Sequence, residues 1–135
     1  MITISAFKWV PDFAKGQVRD LRARWALEEA GLPYKTRLLQ LGDQDKQDYR
    51  VLQPFGQVPL LEEDGPTLFE SGAIVLYIGE RSDALLPKDP GARARATQMA
   101  RRSTQFHRAF CYERRCDRSV PRERGMGKAA SPRRR

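Results

Sequence analysis

The sequence predicts a small α/β domain of βαβ–ββα order, a mixed four-stranded sheet with helices over its faces, followed by a largely disordered basic tail. Three observations predict it. A helical pattern ending at Gly31-Leu32-Pro33 lies between two β-prone stretches. Two short apolar runs flank an Asp64-Gly65 turn and lead directly into a second helix with one apolar face. The charge is segregated, with 13 Lys+Arg against 14 Asp+Glu in residues 1–97 and 12 against 3 in residues 98–135.

The elements follow in order. Residues 1–10 start with β-branched residues alternating with small polar ones (Ile2, Thr3, Ile4, Ser5), reach Phe7 and Trp9, and stop at Pro11, which suits a first strand. From Gly16 to Ala30, Val18, Leu21, Trp25 and Ala26 recur at helical spacing. Gly31 can take the left-handed conformation just past that helix, Leu32 can fold back on its last turn, and Pro33 blocks continuation. Tyr34 to Leu41 reads as a second strand, so strand, helix and strand form one parallel crossover unit. Tyr49 to Phe55 is irregular or a short helix. Val58 to Leu61 and Thr67 to Phe69 form a hairpin, and Ser71 can cap a helix from Gly72 to Arg81 with Ile74, Tyr77 and Ile78 on one face. The expected boundaries are 1–83 for the domain, 84–98 for a linker and the start of a truncated helical domain, and 99–135 for the tail.

Composition narrows the function classes. The net charge of +8 would suggest a nucleic-acid partner, but the excess lies wholly in the tail, so no specific nucleic acid is expected. No apolar run reaches membrane-spanning length and the N-terminus has no basic region leading into an apolar stretch; the expectation is a soluble, cytoplasmic protein without a membrane partner. The two cysteines, Cys111 and Cys116, give no disulfide framework and fit a reducing compartment. With His107 they make three possible metal ligands without a fourth, and no metal is expected.

The segment from Gln53 to Ser71 carries the chemistry. A proline opening a strand removes one ladder donor, and a cis Val58–Pro59 bond would bend the chain and present the N–H and C=O of Val58 at the sheet edge, where an extended peptide can pair. The alternative is a trans proline that merely starts an edge strand. Glu70 and Ser71 sit where the second hairpin strand passes into a helix, so a carboxylate and a hydroxyl lie beside N–H groups of partial positive charge. That combination suits a zwitterion; the alternative is an N-cap and a dipole partner, and both can hold together.

Gln53-Pro54-Phe55-Gly56-Gln57-Val58-Pro59-Leu60-Leu61, an acidic turn, and Leu68-Phe69-Glu70-Ser71-Gly72-Ala73-Ile74, with the helix end Ala26 to Tyr34, resemble the glutathione S-transferase family over residues 1 to about 98. The resemblance implies a thioredoxin-like fold and glutathione as co-substrate. It implies a cis Pro59, Val58 pairing with the cysteinyl unit, Glu70 and Ser71 holding the γ-glutamyl end, and Gln57 on the cysteinyl-glycine side. Lys46 or Arg50 is a weaker candidate for the glycine carboxylate. A small electrophile is the implied second substrate, and a homodimer is typical of the family though not expected of a chain with this tail.

Thiol activation is the open position. A free thiol near pKa 8.5 is mostly protonated at neutral pH, so a donor or positive field must stand beside the sulfur. Family members place Tyr, Ser or Cys near the end of strand one or the start of helix one. Residues 9–19 contain none of these, Ser5 lies too early, and helix-one N–H groups, with or without Arg19, are what remains; the alternative for Arg19, and the favoured one, is a surface arginine, and the catalytic residue is unknown. A Cys-x-x-Cys oxidoreductase is excluded.

In that family the thioredoxin-like domain is followed by a larger helical domain. Residues 98–135 are too short for it, and Arg101-Arg102, Arg114-Arg115 and Arg133 to Arg135 interrupt any amphipathic face. Two explanations compete, a genuine basic tail and, preferred, a frameshift in a GC-rich gene; for the second, the coding DNA read one base out of register after Thr97 would give amphipathic helices, and early stops would remove the idea. The expectation is a transferase-like chain of weak or no activity. A truncated non-catalytic glutathione-binding module and a glutathione-dependent isomerase are the alternatives. Poor solubility is expected from the helix faces left uncovered.

Overall fold

A computed structural model of the protein describes residues 1–102. The first strand, β1 (Ile2–Phe7), buries Ile2, Ile4 and Ala6 on one parity and Ser5 on the other, as a central strand covered on both faces does. A 3₁₀ turn at Asp12–Ala14 follows, and α1 spans Asp20–Glu29. The helix starts four residues later than its periodicity predicts because Gly16 is left-handed, at φ +76°, which no right-handed helix accommodates. Its C-terminus is as expected. Gly31 stands at φ +65°, its N–H donates to the Glu28 carbonyl, and the Leu32 N–H donates to the Leu27 carbonyl, both at 3.0 Å.

Strand β2 (Tyr34–Leu39) runs parallel to β1, in register from Ile2 opposite Tyr34 to Phe7 opposite Leu39. It ends two residues short of the expected Leu41, where Gln40 and Gly42 enter a 3₁₀ turn at Asp43–Asp45. The short-helix alternative holds next: α2 covers Gln47–Leu52. The hairpin comprises β3 (Leu60–Glu62) and β4 (Thr67–Phe69) around Gly65, and β3 also pairs antiparallel with β1. The sheet order is therefore β2-β1-β3-β4, mixed and four-stranded.

Helix α3 (Ser71–Gly79) corrects one assignment. Ser71 is not its cap. Glu70 takes that position at φ 68°, ψ 111° without a side-chain capping bond, its carbonyl accepting from Ile74 N–H at 3.0 Å, and Ser71 is the first helical residue. The left-handed turn at Glu70 swings the chain off β4 one residue early, which moves the boundary. A last helix, α4 (90–102), opens with Pro90 in its first position and Asp89 as cap, whose carboxylate accepts from Ala92 N–H at 2.7 Å.

Two cores flank the sheet. On one face α1 and α3 pack Ala23, Ala26, Leu27, Ile74 and Ile78 onto Ile2, Ile4 and Leu61. Each such Leu or Ile contributes about 1.5–3 kcal/mol of burial free energy. On the other face α2 delivers Tyr49 against Leu39, Val58 and Leu60. Leu21, Trp25, Val75, Leu76, Leu86 and Ala96 line an apolar groove of about 440 Å³ between α1, α3 and α4. Trp25 is 57% exposed there, the uncovered apolar surface that the helix faces predict. Among the described residues no helix is long and apolar enough to cross a membrane. The expectations for His107, Cys111, Cys116 and the rest of the tail fall outside the described residues.

Candidate functional site

The Val58–Pro59 peptide is cis. Pro59 is fully buried, and the Val58 side chain packs beside Tyr49 and Leu60. Neither the N–H nor the C=O of Val58 forms a hydrogen bond among the described residues. One expectation about its setting needs correction. β3 is an interior strand, so Val58 is not on a lateral edge of the sheet; it lies ahead of Leu60, beyond the residues that pair with β1 and β4.

The hairpin register brings the second group near. Leu60 is opposite Phe69, so the antiparallel run carries Pro59 and Val58 toward Glu70 and Ser71 at the same end of the hairpin. Ser71 is 3% exposed, and its hydroxyl has no partner among the described residues. The N-terminus of α3 thus offers a hydroxyl in its first turn.

Gln57 and Arg19, read separately from the sequence, meet: Arg19 Nη1 donates to Gln57 Oε1 at 3.4 Å. This links the approach to α1 with the segment ahead of Pro59. The two cations considered for a carboxylate are otherwise engaged. Lys46 pairs with Asp43 at 2.7 Å, and Arg50 pairs with Asp45 at 2.7 Å while donating to the Pro54 carbonyl at 2.9 Å.

The start of α1 has its own charge. Asp20, in the first turn, is buried beside Arg24, whose Nη1 lies 3.6 Å away. Burial pushes the Asp20 carboxyl above its ordinary range, against the pull of Arg24 and of the backbone N–H groups of Asp20 and Leu21. Part of the positive end of α1 is therefore already committed. Ser5 is fully buried and hydrogen-bonded inside the core. Among the described residues no cluster of three His, Cys, Asp or Glu side chains could hold a metal ion.

Sequence reasoning missed Tyr49. Its hydroxyl reaches the Gln57 carbonyl at 2.8 Å and Ser5 Oγ at 2.9 Å. The signal available was a lone tyrosine in a polar stretch, which no periodicity singles out.

The family model of the glutathione S-transferase N-terminal domain matches residues 13–80. The chain is 43% identical over 60 residues to glutathione S-transferase hmp2 of Hypomyces subiculosus, covering 43% of this chain and 28% of that one. It is 37% identical over 84 residues to a probable maleylacetoacetate isomerase 2 of Drosophila melanogaster, covering 58% and 37%. Among solved structures, the theta class glutathione S-transferase of Xanthomonas axonopodis pv. citri with glutathione bound aligns at a TM-score of 0.57 and 36% identity, over 69% of this chain and 43% of that one. The chain thus spans less than half the length of each.

Proposed function

We propose, on the premise that this chain belongs to the glutathione S-transferase family and carries its thioredoxin-like N-terminal domain, that it binds glutathione at the end of β3. The cysteinyl unit pairs with the N–H and C=O of Val58. The γ-glutamyl carboxylate accepts from Ser71 and the first-turn N–H groups of α3, its ammonium pairs with Glu70, and Gln57 meets the cysteinyl-glycine side. One observation carries this reading: a backbone donor and acceptor at Val58 without partners among the described residues, at the same hairpin end as the Ser71 hydroxyl. Pairing there is strand addition, with affinity from main-chain bonds.

The activity proposed for the intact family form is conjugation of the glutathione thiol to a small electrophile in the cytoplasm. Two further readings each have an observation in their favour. The Drosophila relative named as an isomerase supports glutathione-dependent isomerisation on the same fold. The absence of Tyr, Ser and Cys from residues 9–19 supports a module that binds without turnover.

The test is retention on immobilised glutathione followed by a conjugation assay with a generic aromatic electrophile. We expect retention, elution by free glutathione, and weak or no turnover. Ser71→Ala should raise the glutathione dissociation constant about tenfold, the loss of roughly one hydrogen bond to a charged group. Passage through the column, or a Ser71→Ala affinity equal to wild type, would overturn the assignment.

A further inference from the structure

A buried chain of hydrogen bonds brackets the proposed glutathione contact. The Leu60 N–H donates to Ser5 Oγ at 2.7 Å, Ser5 Oγ and Tyr49 Oη are 2.9 Å apart, and Tyr49 Oη donates to the Gln57 carbonyl at 2.8 Å. Its direction is fixed by the ends. A backbone N–H can only donate and a carbonyl can only accept, and each hydroxyl has one proton. Tyr49 gives its proton to Gln57, so the middle bond uses the proton of Ser5. Donation runs from Leu60 through Ser5 and Tyr49 to Gln57 without a break.

The placement is specific. β1 and β3 pair through Ile4 opposite Leu61, so the next step of the register would set the backbone of Ser5 against Leu60. There the side-chain hydroxyl takes the Leu60 N–H instead, and the pairing of β1 with β3 ends. Ser5 and Tyr49 are both 0% exposed, one on β1 and the other on α2, and no solvent competes for their bonds. The two backbone groups at the ends of the relay flank Val58 and Pro59 on either side. Burial pushes the Tyr49 hydroxyl above its ordinary range, against the hydrogen bond from Ser5, so it stays protonated and able to donate through neutral pH.

We propose that Ser5 and Tyr49 are positioning residues for glutathione: by pinning Leu60 N–H and Gln57 C=O, the relay fixes the plane in which Val58 presents its donor and acceptor. This rests on the reading of Val58 as the contact to the tripeptide. A short peptide that binds through two main-chain bonds gains affinity only where those groups are already aimed, because ordering the loop on binding subtracts from the affinity. Neither residue touches the ligand.

The experiment compares Tyr49→Phe, Ser5→Ala and the double substitution in the 135-residue chain. Calorimetric titration with reduced glutathione is run well below each melting temperature, beside Ile78→Val as a core substitution away from the relay. We expect each single variant to weaken binding about 5- to 10-fold, and the double variant to be no weaker than the worse single one, since one relay is broken once. Ile78→Val should lower the melting temperature without changing affinity. Hydrogen exchange in the wild type gives a second readout that requires no variant: the Leu60 amide should be protected before glutathione is added and the Val58 amide only afterwards. Variants that melt earlier yet bind as wild type, losses that multiply in the double variant, or a Leu60 amide that exchanges freely would each overturn the relay while leaving the glutathione site standing. A wild type that does not bind glutathione would overturn both.

Discussion

Residues 53–71 and residues 8–19 both border the proposed site, and they are held in different ways. In the first stretch side chains grip the backbone: Ser5 of β1 on Leu60, Tyr49 and Arg50 of the adjoining α2 on Gln57 and Pro54, and, within the stretch, Gln53 Oε1 accepting from the Phe55 N–H at 2.7 Å. In the second, the backbone bonds past Lys8 close over three residues, Ala14 to Pro11, Lys15 to Asp12 and Gln17 to Ala14, and Trp9 and Phe13 are 65% and 64% exposed. The difference follows from what each must do. A site that reads a peptide through main-chain atoms needs those atoms fixed. Local stability is set by buried contacts of this kind and is unequal across one small domain.

The largest expected contrast is in stability. Tyr49→Ala removes a fully buried ring and two hydrogen bonds, and should cost about 3–5 kcal/mol in urea unfolding. Trp9→Ala, of similar size but mostly exposed, should cost within about 0.5 kcal/mol. Equal losses at the two positions would break the comparison.

A smaller contrast lies in two glycines. Gly16 at φ +76° and Gly56 at φ +58° both need the left-handed conformation, so an alanine at either costs about 1–2 kcal/mol. An added Cβ at Gly16 meets open space, whereas at Gly56 it would stand 2.9 Å from the Arg50 guanidinium. Gly56→Ala must also displace Arg50 from the Pro54 carbonyl and Asp45. It should therefore be the more destabilising of the two by denaturant unfolding, and the only one to weaken glutathione binding.

Much of this architecture was legible because local chemistry and tertiary demand agree. Gly31-Leu32-Pro33 stops α1 where expected, since the Leu27, Ala26 and Ala23 face that it closes is also the face the sheet needs. The hairpin was legible for the same reason, whereas the cis Val58–Pro59 bond was implied only by the family resemblance and its place off the lateral edge was not foreseen. The start of α1 was not, because Val18 keeps helical spacing with Leu21 while Gly16 and the 3₁₀ turn already break the helix. The cap of α3 was misplaced because a left-handed glutamate leaves no mark in the sequence. The relay through Tyr49 was invisible for a different reason: its partners are 44 residues away at Ser5 and on the backbone of Gln57, and no spacing rule links them. Side-chain-to-backbone bonds across elements are what folding adds to a motif.

The finest contrast is between two carboxylates, Glu63 in the first stretch and Asp20 at the start of α1, just past the second. Asp20 is raised by burial, so the folded state holds its proton more tightly than the unfolded chain does. Its contribution to stability is fully present below its unfolded value of 3.8 and is lost as pH rises through its folded value. Glu63 is the reverse. The Tyr77 hydroxyl, joined by Arg81, holds it below its ordinary 4.5, so its contribution is present above that value and is lost as pH falls through the lower folded one. Urea unfolding of wild type, Asp20→Asn and Glu63→Gln at pH 7 and near pH 3 reads both. Asp20→Asn imitates the protonated carboxyl, and its stability relative to wild type should be higher at pH 7 than at pH 3. Glu63→Gln should cost about 1 kcal/mol or less at pH 7, as partly exposed pairs do, and that cost should shrink on acidification. Parallel pH trends in the two variants would mean that burial does not govern the Asp20 carboxyl and that it ionises as readily as Glu63 does.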